Sequence, residues 1–281
     1  MVPGRTICLL LFACAFWQLP VRAQDLEQRQ PLELVSADSI VPQDRHEMML
    51  TSGGWYFRDG GVHDAMFTQK VEWGISNRLQ VATFVQAIRN TNVAGASATG
   101  MGDLEVGARY TWASVGSQYT HLAAALDAGF PSGNPGSGLG DGGYTLSPSL
   151  LASHEFENSK YQMFTTSGLD FVIAHRAIGA IAGESLHDSF FCNSGLSLRA
   201  GRGWAVGEVA VKSNRWNGGS ETNVAFTPSY VRRVARRAEL LLGIPIGLTS
   251  STDPIGVVFK FTFEIGGSGE LPAPAPSVAG P

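Results

Sequence analysis

Between Ile255 and Gly266 every second residue is apolar. Ile255, Val257, Phe259, Phe261, Phe263 and Ile265 alternate with Gly256, Val258, Lys260, Thr262, Glu264 and Gly266. Side chains along a strand point to opposite faces in turn, so this segment has one wholly apolar face and one that carries charge. The same two-residue period runs through 239–249, 103–112, 121–130, 144–150 and 224–233. It is weaker at 62–75, 79–90, 161–174, 188–200 and 204–215, and least clear at 46–58. The pattern predicts about twelve strands and an all-β chain.

Most of these segments run to about 12–14 residues, and a tilted strand needs roughly 9–11 to cross the hydrocarbon of a bilayer. The connections alternate as well. Short turns are expected at 76–78, 116–118, 157–159, 201–203 and 235–237, with wider loops at 91–101, 132–143 and 175–187 and modest ones at 217–221 and 251–254. With both strand-region ends on one side, every short turn falls on that same side, which is the asymmetry of an outer-membrane barrel. A soluble β-sandwich also alternates, but its polar face meets bulk water and is rich in Lys, Glu and Asp. Here the second face is mostly Gly, Ala, Ser and Thr, and only 16% of residues are charged. The reading is therefore a transmembrane antiparallel up-and-down β-barrel, with its apolar face toward outer-membrane lipid.

The ends of the chain fit an exported protein. Arg5, the apolar run Ile7–Trp17, Pro20 and the small-residue site ending at Ala23 have the parts of a signal peptide over 1–23. The apolar run is too short for a membrane-spanning helix. Cys8 and Cys14 leave with it, so only Cys192 remains and neither a disulfide nor a cysteine metal site is available. Lys and Arg then number 18 against 24 acids, a charge of about −6 that does not suit nucleic acid. Residues 24–45 read as an N-terminal lead-in that could enter the lumen, 46–266 as the barrel, and 267–281, with four prolines, as a flexible tail. The expected location is the outer membrane of a Gram-negative-type bacterium. Barrel-assembly machinery would be a partner, reading an internal aromatic signal near Phe263.

Charges on the inner face are the candidate functional residues: Lys70, Glu72, Asp103, Glu105, Arg109, Asp127, Asp170, Glu208, Lys212, Glu239, Lys260 and Glu264. A lipid-facing Arg or Lys costs about 2–4 kcal/mol at the midplane, whereas a wet or paired lumen tolerates charge. Such residues either select small-molecule solutes or form a structural network that plugs the barrel. Trp55, Tyr56, Trp73, Trp112, Tyr144, Tyr161, Trp204 and Trp216 fit interfacial girdles. His187, Asp188 and Ser189, with Asn193 nearby, offer the residue types of a hydrolase without its surrounding signature. His46, His63 and His121 have no partners at metal-ligand spacing. A passive channel with no cofactor is the primary expectation, with a non-conducting structural or adhesive barrel as the alternative and a hydrolase behind it.

Four stretches also resemble the outer-membrane barrel family named for transport in the meta-pathway of phenol degradation. Val41-Pro42-Gln43-Asp44-Arg45-His46-Glu47 is similar to its V-P-x-G-x-x-E segment, with Asp44 in place of glycine. Glu72-Trp73-Gly74-Ile75-Ser76-Asn77-Arg78-Leu79 resembles its second hairpin. Gly100-Met101-Gly102-Asp103-Leu104-Glu105-Val106-Gly107-Ala108-Arg109-Tyr110 resembles its G-x-G-D strand, and Phe130-Pro131-Ser132-Gly133 its P-[ST]-G exit. The likeness covers about 41–150; beyond that only the alternation matches. It implies a barrel that moves hydrophobic or aromatic compounds.

Overall fold

The computed structural model describes residues 31–40, 43–59, 62–93, 96–112, 119–156, 160–175, 187–215, 221–250, 252 and 255–266. The expected signal peptide, the first part of the lead-in, the tail, Trp216 and most of 175–187 lie outside these residues.

Twelve strands form the wall. They are β1 (Met48–Asp59), β2 (Val62–Gly74), β3 (Leu79–Val93), β4 in two pieces (Ala96–Gly100 and Leu104–Trp112), β5 (Thr120–Phe130) and β6 (Gly143–Glu155). Then come β7 (Tyr161–His175), β8 (Ser189–Ala200), β9 (Gly203–Ser213), β10 (Thr222–Ala235), β11 in two pieces (Ala238–Gly243 and Ile246–Gly247) and β12 (Gly256–Ile265). Each strand pairs antiparallel with its chain neighbour, and β12 returns to β1 from Met48↔Ile265 to Phe57↔Gly256. Closure joins the first strand to the last, which removes the open sheet edge that could not be satisfied where no water reaches the backbone. Among the described residues no helix is long and apolar enough to cross a membrane, so any crossing falls to the strands.

The alternation expected from the sequence is the alternation of exposure. On β12, Val257, Phe259, Phe261, Phe263 and Ile265 are each 41–43% exposed, while Val258 and Thr262 are at most 1% exposed. Leu126, Leu150, Ile173, Leu196, Phe226 and Leu242 continue the outward apolar surface on other strands. A contiguous belt of this kind is stable against lipid and not against water. Tyr56, Trp73, Trp112, Tyr144 and Tyr161 are exposed near strand ends, as girdle residues should be.

Three details depart from expectation. The wide loop at 91–101 is instead a hairpin extension, paired from Arg89↔Gly100 to Val93↔Ala96, because Ser, Thr and Asn satisfy a ladder as well as a loop. The wide loop expected at 132–143 carries structure of its own: a 3-10 turn, Pro135–Ser137, is capped by Asn134, and Leu139 is buried. Trp55 and Trp204 are not girdle residues. Trp204 is 5% exposed within an inner cluster with Phe164, Val206, Val231, Leu241 and Val258, against which Trp55 packs. Period-two reading assigns a face from neighbours, and these large residues sit among the small ones that face inward.

What covers that inner cluster is the segment 31–40. Leu34, Val35 and Ala37 pack into it, and Ile40 packs with Ala123 and Leu151. The segment makes hydrogen bonds to residues of β2, β4, β7, β8, β9, β11 and β12, on all sides of the wall, so it occupies the lumen.

Candidate functional site

The inner charges act first as a clamp on this segment. Glu208 of β9 accepts the backbone N–H of Val35 at 2.8 Å through Oε2, and those of Ser36 and Ala37, each at 2.9 Å, through Oε1. Glu239 of β11 accepts the N–H of Leu32 at 2.9 Å. Three consecutive donors turned toward one carboxylate give an otherwise unpaired stretch of backbone its partners. The carbonyl side is held as well: Lys260 of β12 donates to Leu34 O, Arg109 of β4 donates to Ser39 O, and Asn193 of β8 donates to Ser36 O at 2.8 Å.

The segment supplies its own acids to the clamp. Glu33 pairs with Lys70 of β2 and with Lys260, both at 3.1 Å, and Asp38 lies 3.6 Å from Lys70 and from Arg109. Burial by itself would raise the Glu33 carboxyl, but Lys70 and Lys260 outweigh it and hold the group at about 2. Asp38 is likewise lowered, burial being outweighed by Lys70 and Arg109. Glu72 of β2 completes the network, 3.3 Å from Lys70 and accepting from Gln80 Nε2 at 2.8 Å. Lys70, Glu72, Arg109, Glu208, Glu239 and Lys260 therefore converge on the docked lead-in, a partner that the sequence did not connect with these charges.

Among the described residues, two cavities lie beside the segment. One, of about 480 Å³, lies between Glu33–Asp38 and the wall from β12 round to β5, where Trp55, Phe57, Phe84, Lys70, Glu105 and Asp127 face it. The other, of about 380 Å³, lies against β7 to β10 and is lined in part by Ser36, Asp170, Asn193 and Lys212. Asp170 pairs with Lys212 at 2.7 Å. Glu264 is apart from both, paired with Arg233 at 3.5 Å.

Asp103 has a different place from the rest. It sits where β4 is interrupted and accepts the N–H of Gly133 at 2.9 Å and of Asp141 at 2.7 Å, so it caps the 131–142 loop and does not line either cavity. Ser189, the candidate nucleophile, is 3% exposed and donates to Asp170 at 3.2 Å, a carboxylate already engaged by Lys212. Asp188 accepts from Val172 N at 2.8 Å. These contacts fix the start of β8 and do not activate a serine. The aromatic wall of Trp55, Phe57 and Phe84 was missed in the sequence, although the spacing of two between Trp55 and Phe57 puts both rings on one face of β1 and signals part of it.

Wall, clamp and cavities together define a class: a twelve-stranded membrane-type barrel whose lumen is narrowed by its own N-terminal segment. No protein-family profile matches the chain, and no curated protein sequence matches it. Among solved structures, an outer-membrane channel from Pseudomonas putida F1 superposes with a TM-score of 0.68 at 9% identity, over 83% of this chain and 100% of that one. The KdgM porin superposes at 0.49 with 7% identity, over 77% and 99% of the two chains. The CymD monoaromatic hydrocarbon channel gives 0.44 and 9%, over 80% and 89%. At such identities the likeness to the Pseudomonas channel bears on the fold.

Proposed function

We propose that this chain is an outer-membrane channel through which small molecules with an apolar or aromatic body diffuse passively. The observation that carries this is the cavity of about 480 Å³ left between the docked segment and a wall bearing Trp55, Phe57 and Phe84. A barrel serving only as a scaffold gains nothing from an aromatic-lined void, since each unfilled space forfeits packing. The fold shared with the Pseudomonas outer-membrane channel favours the channel part of this reading, and the resemblance to the phenol meta-pathway barrels favours hydrophobic or aromatic solutes. Assembly machinery would recognise the aromatic end of β12, where Phe261 and Phe263 face outward.

A non-conducting barrel is the second reading, and the clamp is what favours it. Swelling of liposomes holding the refolded protein separates the two. Entry of phenol-sized aromatics faster than in empty liposomes supports the channel. Rates equal to empty liposomes for every solute, with no conductance steps in planar bilayers, would leave the structural role.

A further inference from the structure

The larger cavity is uneven in charge as well as in polarity. Its three basic residues are all engaged by acids: Lys70 by Glu33, Asp38 and Glu72, Lys260 by Glu33, and Arg109 by Asp38 and Glu72. Glu105 and Asp127 face the same space and take part in none of these ion pairs. Their placement follows from the ladder. Phe84 is directly opposite Glu105, and Asp127 directly opposite Gly107, two residues along the same face of β4. The missing side chain at Gly107 is what makes room, because a Cβ there would collide with the Asp127 carboxylate. Two carboxylates therefore stand beside the Phe84 ring, and the wall continues to the stacked pair Trp55 and Phe57, 6.0 Å apart between ring centres.

We propose that this cavity is a binding site for a small aromatic cation, an arylalkylammonium, with its ring on the Trp55, Phe57 and Phe84 wall and its ammonium between Glu105 and Asp127. Ring faces attract cations as well as aromatic bodies, and an ammonium donating to carboxylates makes charge-assisted hydrogen bonds. An aromatic carboxylate of the same size would meet the two acids with no free base to receive it. The site deepens the channel reading by naming the class of solute, and it rests on that reading only for transport, not for binding.

The test uses three probes of one shape: 2-phenylethylammonium, 2-phenylethanol and phenylacetate. Titration calorimetry on the detergent-solubilised full chain at pH 8 should show the cation binding about tenfold more tightly than either of the others, the scale of a charge-assisted hydrogen bond with a cation–π contact. Glu105→Gln with Asp127→Asn should remove that preference, and Trp55→Leu should weaken the cation with the acids intact. Equal binding of all three probes, no detectable binding of the cation, or a preference unchanged in the double variant would overturn the site. Liposome flux of the same probes is read separately: flux of all three at equal rates defeats the selectivity and leaves the channel, whereas binding of the cation without flux of any probe keeps the site and defeats the channel.

Discussion

Glu208 shows how much one side chain can settle. It is fully buried on β9, and its carboxylate is the acceptor for three successive N–H groups of the docked segment. Glu208→Gln keeps the shape but turns an NH₂ group toward backbone donors, which should cost the docked state about 1–3 kcal/mol. Single-channel recording should then show longer and larger openings than in the native protein; unchanged gating would mean that the apolar contacts of Leu34 and Val35 hold the segment alone. Glu33 gives a pH test. Its folded value of about 2 lies below the roughly 4.3 of a free Glu, so the pairing stabilises docking above that free value and is lost as pH falls toward 2. Open probability should be steady from neutrality down to about pH 5 and climb only below about pH 4. A climb on going alkaline from pH 7 to 9 would contradict the assignment.

Elements explain why the four family-like stretches read as they do. They meet in pairs. Glu47 accepts the N–H of Asp44 at 2.9 Å and caps the turn before β1, where His46 has a φ of 66°. That turn lies on the end of β2 through His46 N to Gly74 O at 2.8 Å, so close that a Cβ at position 74 would strike the backbone of Asp44. The other pair joins Asp103 to Gly133, with Ser132 Oγ donating to Gly102 O at 2.9 Å. Sequence quoted these as motifs; their spacing along the chain says nothing of which touches which. Gly74→Ala should displace the turn and lower the yield of heat-resistant folded barrel on gels, while Asp103→Asn should leave the barrel folded and expose the 131–142 loop to added protease. Equal protease resistance in the two proteins would show that Asp103 is not what holds the loop.

At the scale of the whole molecule, the apolar belt and the occluded lumen make separate demands. With its outward face of Leu, Ile and Phe, the folded barrel should need detergent or lipid to stay dispersed, and removal of detergent should precipitate it; a soluble compact monomer would be incompatible with the belt. Deleting 31–40 should leave the strand ladder intact by circular dichroism and raise conductance severalfold, because a twelve-stranded lumen is wider than its side chains can fill. The sequence by itself determined the ladder. A side-chain period of two is local, each strand carries it, and the count of strands and the side of each face follow from it, down to Val257 outward and Val258 inward. It also put Lys70, Arg109, Glu208 and Lys260 on the face opposite the apolar one, for the same reason. Only the tertiary structure decided what those charges do. Lys70, Arg109, Glu208, Glu239 and Lys260 come from strands scattered over some 190 residues of chain, and closure of the barrel brings them around one short segment that has no periodicity of its own. Trp55 and Trp204 read as girdle residues for a related cause: whether a large ring faces lipid or lumen depends on what fills the space beside it, and that neighbour, Leu34 to Ala37, is distant in sequence and adjacent only once the wall has closed.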